Sequence, residues 1–242
     1  MGKKLGIETE FVAGPEWQQR EQRLDAGEIE IGWVCGLPYT WKAANPDIEI
    51  ELLAAPVMAG ERYGGKPVYF SDVIVRAGSG FQRFADLRGA RWAFNEPHSQ
   101  SGYNITRYHL ASIGEKEGFF GQVIEAGSHQ NAIKLVLDGE TDASAIDSTV
   151  LEIEYELDPS LKENLRVIEA LGPSPIPPYV ISTRVEAGLR ARIREALLGM
   201  DKDAEGQKIL AKARMLRFAA VTDADYDAIR EMERMARGVV FD

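Results

Sequence analysis

The segment Arg91-Trp-Ala-Phe-Asn-Glu-Pro-His-Ser-Gln-Ser-Gly-Tyr103 admits few conformations. Trp92 to Phe94 is an apolar run of strand length, and Pro97 ends it while biasing Glu96 towards extended backbone. Ser99 or Ser101 is a natural N-cap for a helix that starts near Gly102 and closes at Gly114, about three turns on. Strand, polar loop and helix in this order form the building block of a parallel α/β sheet. Two hydroxyls beside unpaired N–H groups at a helix N-terminus also make a place for a tetrahedral oxyanion. Ordinary serine capping would use the same letters, so the rest of the chain decides.

The unit recurs. Ile7 to Val12 alternates like a strand, and Trp17 to Leu24 reads as a helix. Ile29 to Val34 is a strand, followed by the loop Cys35-Gly-Leu-Pro-Tyr39 and a short helix to about Ala44. Ile48 to Met58 and Val68 to Arg76 are extended. Val123 to Ala126 leads into Gly127-Ser-His129 and a helix through Leu137. Thr141 to Ile146 leads into Asp147-Ser148 and a helix to about Leu157. Leu165 to Ala170 is extended, and the prolines of Gly172 to Pro178 forbid a helix there. Amphipathic helices finish the chain, the last from Asp225 to about Arg237. Leu24-Asp-Ala-Gly-Glu-Ile-Glu-Ile31 echoes Leu137-Asp-Gly-Glu-Thr-Asp-Ala143, as two similar halves would. Residues 77–172 therefore read as one lobe. Residues 1–76 and 173–242 join as the other, with Val68–Arg76 and Leu165–Val180 as the crossings.

Composition narrows the partners. The net charge of −10 comes without a basic patch, which argues against nucleic acid and anionic lipid. No apolar run reaches the ~18 residues of a membrane span, so direct membrane insertion is not expected. A lone cysteine, Cys35, leaves no internal disulfide. His98, His109 and His129 are not at metal-ligand spacing, and no Gly-x-Gly-x-x-Gly or Walker A pattern occurs. Neither a metal nor a cofactor is expected. In parallel α/β sheets ligands gather at loops beyond the carboxyl ends of strands. Four such loops carry suitable groups: Tyr39, Ser99-Gln100-Ser101, Ser128-His129 and Asp147-Ser148.

Phe84-Ala-Asp-Leu-Arg-Gly-Ala-Arg-Trp-Ala-Phe94, Ser99-Gln-Ser-Gly102, Gly127-Ser-His129 and Gly139-Glu-Thr-Asp142 together resemble the phosphate/phosphite/phosphonate substrate-binding proteins of ABC importers. The resemblance extends to Gly36-Leu-Pro-Tyr39 and covers most of the chain. It implies a type II periplasmic-binding-protein fold: two α/β lobes with mostly parallel sheets, joined by two crossover strands, with a small anion trapped between them. It also implies a membrane permease as partner and an extracytoplasmic location. Carried onto this sequence, it makes Ser99 and Ser101 donors to phosphoryl oxygens and His129 a further donor. Gln100 stands where the family's middle residue also donates. Tyr39 supplies an aromatic wall, Tyr69 a second, and Asp147 reads the ligand's non-phosphoryl end.

The opening Met-Gly-Lys-Lys-Leu-Gly has no apolar h-region, so no signal peptide is expected in this stretch, and it falls inside a turn that family members reach after a first strand. The expectation is either a piece of a longer sequence or a first lobe short of that strand. A rival reading is a hydrolase with Ser99 or Ser101, His129 and Asp147 as triad, although Gly-x-Ser-x-Gly is absent. It requires a serine Oγ within about 3.2 Å of the His129 ring and His129 bonded to Asp147. A ligand sensor of the same fold is the third reading.

Overall fold

The structure is a computed structural model and describes residues 2–13 and 17–241. It divides into two compact units, Met1–Val68 with Pro175–Asp227, and Tyr69–Ser174 with Ala228–Asp242. Along the chain the strands are β1 (Ile31–Trp33), β2 (Ile50–Met58), β3 (Val68–Arg76), β4 (Arg91–Phe94), β5 (Gln122–Glu125), β6 (Ala143–Asp147), β7 (Leu165–Pro175), β8 (Tyr179–Ser182) and β9 (Met215–Ala219).

The first unit holds a sheet in the order β1-β8-β2-β9. Its pairings are antiparallel throughout: Ile31 faces Ile181, Leu52 faces Val180 and Pro56 faces Phe218. Here the structure departs from the expected parallel sheet. β1 and β2 do run the same way and are linked by the helix Gly36–Ala44, as the βαβ reading requires. β8 then slots between them from far along the chain. Local patterning shows what connects two strands; it carries no trace of what inserts between them. Helices Ala187–Leu198 and Ala204–Lys212 bury Ile193, Leu197 and Leu210 against Leu53, Ala54, Ile181 and Phe218.

Two expectations for this unit fail. Ile7 to Val12 alternates but forms no strand, and Phe11 is 89% exposed. Alternation makes a strand only where a neighbouring edge accepts its ladder. Tyr39 sits within a helix rather than in the loop before it, because helical backbone already begins at Gly36.

The second unit holds a sheet in the order β5-β4-β6-β3-β7. β4 is parallel to β5, with Arg91 opposite Gln122, and to β6, with Trp92 opposite Ala143. β3 is antiparallel to β6, with Ser71 opposite Asp147. β4, flanked by β5 and β6, is buried on both faces, which explains its unbroken apolar run. Trp92 and Phe94 join Phe84, Phe119 and Phe120 on one side, while Ala93 meets Ile133, Val136 and Ile146 on the other. Trp92 stacks on Phe120 with centroids 4.5 Å apart. Val239 and Phe241 bury in the same aromatic cluster. That burial draws 228–242 into the second unit, whereas the sequence reading gave all of 173–242 to the first.

The internal echo has a local cause. Gly27 and Gly139 both follow a helix with positive φ, 74° and 78°, so each copy ends in the same left-handed cap. In the second copy Asp142 accepts from the Arg91 backbone N–H at 2.9 Å and from its guanidinium at 2.7 and 3.1 Å. That contact locks the start of β4 to the approach of β6. Among the described residues no helix is long and apolar enough to cross a membrane.

Candidate functional site

Because β5, β4 and β6 are adjacent and parallel, their carboxyl ends share one edge of the sheet. The residues that follow Phe94, Glu125 and Ile146 therefore emerge side by side, which is where ligands bind in such sheets.

The loop after β4 begins with Asn95, only 8% exposed. Ser99 is the cap: its backbone is extended, and its Oγ accepts from the Gly102 N–H at 3.0 Å. Gln100–Asn104 is a π-helical turn, closed by the Ile105 N–H on the Gln100 carbonyl, and it runs into the α-helix Ile105–Ser112. Helical structure thus starts two residues before the expected Gly102, in a widened turn of a kind frequent at functional sites. Ser99 and Ser101 are both buried, their hydroxyl oxygens 3.4 Å apart.

The loop after β5 supplies His129. Ser128 caps the helix His129–Asp138 by accepting from the Asn131 N–H at 3.1 Å, which makes His129 the first helical residue. Its Nε2 lies 3.0 Å from the Ser101 Oγ and 3.5 Å from the Asn95 Nδ2. The residue as a whole is half-buried, but Nδ1 is fully shielded and has no hydrogen-bond partner among the described residues. Burial lowers the imidazole pKa to about 4, so the ring is neutral near pH 7 and offers one donor and one acceptor.

Gly102 is required by this packing. A Cβ there would lie 1.9 Å from the Asn95 Oδ1 and 3.3 Å from the His129 Cε1. Asn95 and Gly102 were not among the residues singled out from sequence. The available signal for Asn95 was an amide placed directly after an apolar strand and before the serine loop.

The loop after β6 supplies Asp147, which caps the helix Ser148–Leu157. Its Oδ1 accepts from the Thr149 N–H at 2.8 Å and the Thr149 hydroxyl at 2.7 Å. β6 packs against the Gln100–Asn104 turn. Burial raises the Asp147 pKa to about 6; the Thr149 hydrogen bonds pull it down and the nearby Asp72 charge pushes it up.

These displacements oppose one another in the pH dependence of stability. Between the ordinary imidazole value of 6.5 and about 4, the unfolded chain takes a proton at His129 that the folded chain refuses. Stability therefore rises with pH there, by roughly 3 kcal/mol in all. Between 3.8 and about 6 the folded Asp147 keeps a proton that the unfolded one releases, so stability falls with pH. That term is also roughly 3 kcal/mol. Asp147→Asn removes the falling term. Urea unfolding should show the variant gaining on the wild type as pH rises through this window. Parallel pH profiles would mean that Asp147 titrates normally.

The other sequence candidates are Gln100, Tyr69 and Tyr39, of which Tyr69 lies on β3 two residues before Ser71, the partner of Asp147. Gln100 is fully buried, donating to the Ser174 Oγ at 3.2 Å and the Met232 Sδ at 3.2 Å, and accepting from the Asn104 amide at 2.8 Å. The π-helical turn directs it away from its two serine neighbours and into the fold. Tyr69 is buried in β3. Tyr39, in the first unit, donates to the Asp223 carboxylate at 2.9 Å and packs on the Tyr226 ring at 4.6 Å. Ser99, Ser101 and His129 are brought together.

The triad alternative meets one of its two conditions. Ser101 is within reach of His129, but Nδ1 has no carboxylate partner among the described residues, and Asp147 faces Thr149 instead. Without an orienting acid the imidazole is not held as a general base. Among the described residues no group of three or more His, Cys, Asp or Glu side chains is placed to hold a metal ion.

Comparison with known proteins fits this geometry. The family model described as ABC transporter, phosphonate, periplasmic substrate-binding protein matches residues 1–226. A probable ABC transporter phosphite-binding protein, PhnD1 of Prochlorococcus marinus (strain MIT 9301), is 22% identical over 97% of this chain and 80% of its own. The structure of PhnD1 in complex with methylphosphonate superposes with a TM-score of 0.84 at 19% identity, covering 98% of this chain and 89% of that one. A binding component of an ABC phosphonate transporter from Pseudomonas aeruginosa, PA3383, gives a TM-score of 0.83 at 20% identity over 98% and 78% of the two chains. The fold is the type II periplasmic-binding-protein fold. The chain belongs to the phosphonate periplasmic substrate-binding proteins of ABC transporters, which are binding components and not enzymes.

Proposed function

We propose that this chain captures a small phosphorus oxyanion (phosphonate, phosphite or phosphate) on the edge where β4, β5 and β6 end, for delivery to an ABC permease on the extracytoplasmic side of a membrane. The 3.0 Å contact between the Ser101 hydroxyl and the His129 imidazole carries the reading. Two neutral donors from different loops converge there beside a third, Ser99, at the start of a helix. Helix dipole and uncharged hydrogen bonds suit an anion that has to be released as well as bound. A charged lysine or arginine would hold it more tightly and let it go more slowly. PhnD1, named as a phosphite-binding protein and solved in complex with methylphosphonate, supports the same ligand class.

Ser101→Ala should weaken methylphosphonate binding by about 1.5–3 kcal/mol, the range for a hydrogen bond to a charged group. Chelator should leave the wild-type affinity unchanged. A wild-type protein whose melting is unmoved by every phosphorus oxyanion, at concentrations where about 100 times Kd would add about 2.7 kcal/mol, would end this reading.

A further inference from the structure

We propose that Asn95 is a further ligand-binding residue of this site, its side-chain amide converging with Ser101 and His129 on one oxygen of the bound anion. The inference rests on the phosphorus-oxyanion reading and adds a residue that neither the serine–histidine pattern nor the helix caps point to. Asn95 leaves β4 between the apolar run Trp92–Phe94 and the serine turn, and it is more than nine-tenths buried. Its Nδ2 stands 3.5 Å from the His129 Nε2, at the limit of a hydrogen bond. Its Oδ1 is buried with no hydrogen-bond partner among the described residues. An anion, itself an acceptor, leaves Oδ1 as it is; what the amide offers the ligand is its N–H₂, whose one contact among the described residues is the long approach to Nε2.

Packing holds the amide in place. Gly102 lets the helix backbone press against Oδ1, since even a methyl group there would overlap it at 1.9 Å. The amide therefore has little room to turn away, and its N–H₂ faces the same point as the Ser101 hydroxyl and the imidazole edge. Ser101 Oγ and Asn95 Nδ2 both crowd Nε2, at 3.0 and 3.5 Å. An anionic oxygen among them accepts from all three, where the ligand-free arrangement satisfies each only in part.

The test uses two substitutions and methylphosphonate as probe. Asn95→Asp keeps the shape of the side chain but replaces the N–H₂ donor by an acceptor, and Asn95→Ala removes the group. Contact with the anion predicts a loss of about 10-fold or more for Asn95→Ala and a larger loss for Asn95→Asp, in calorimetry near neutral pH, with melting temperatures close to wild type. Asn95→Asp binding within threefold of wild type would overturn the inference. So would affinity lost only in proportion to melting temperature. Ser101→Ala, run alongside, separates the failures. If it loses affinity while both Asn95 variants bind normally, only the role of Asn95 is wrong. If it also binds normally, the site itself is misplaced.

Discussion

Methylphosphonate should bind this protein far more tightly than methanesulfonate at neutral pH, by ~10⁴-fold or more. Sites built around a ligand hydrogen bond reject analogues that lack it by this order. We propose Asp147, buried at the carboxyl end of β6, as the discriminating group. Its Oδ1 is engaged by Thr149, and above its raised pKa of about 6 the carboxylate has acceptor capacity to spare. A monoprotonated phosphonate can donate its P–OH to that carboxylate. A sulfonate is fully ionised and has no proton to give, so acceptor would face acceptor. Asp147→Asn supplies a donor and should narrow the gap. Lowering the pH below about 6 protonates the wild-type carboxyl and should narrow it too. Equal calorimetric affinities for the two ligands in the wild type would remove Asp147 from the site.

Gly102→Ala should destabilise the second unit and its site together. The new Cβ would lie 1.9 Å from the Asn95 Oδ1 and 2.8 Å from its Cγ, distances that force the amide or the helix to move. Overpacking of this kind costs about 1–3 kcal/mol. At the usual entropy of unfolding for a chain of this size, that lowers Tm by roughly 2–6 °C. Methylphosphonate affinity should fall with it, because the displaced groups carry the donors. Adding Asn95→Ala to Gly102→Ala removes the overlapping atoms and should restore the melting temperature without restoring affinity. A double variant that melts as low as Gly102→Ala alone would place the strain elsewhere.

How much of this was legible depended on range. Ser99, Ser101 and His129 were picked out at strand-to-helix transitions, a local pattern, and each sits at such a transition. Their meeting followed from a general property of parallel strands, here realised by β5, β4 and β6 in that order. Gln100 was grouped with the serines because it stands at the middle position of the family's motif. The π-helical turn sends it towards Ser174 and Met232, and nothing in its neighbours announces a widened turn. Asn95 was not singled out, because its contacts with Gly102 and His129 exist only in the folded chain. The insertion of β8 between β1 and β2, and the burial of Phe241 beside Trp92, are likewise pairings over long separations. Periodicity reports which face of an element is apolar and is silent about which distant element covers it.

The central claim is that neutral donors from two loops hold one anion, and a double-substitution cycle in calorimetry tests it most directly. Methylphosphonate would be titrated into the wild type, Ser101→Ala, His129→Ala and the double variant. Groups 3.0 Å apart that share one ligand oxygen should couple. Each single substitution is predicted to cost about 10-fold or more, and the double less than the product of the two. Single variants that bind as the wild type does would contradict the account, and so would losses that multiply independently.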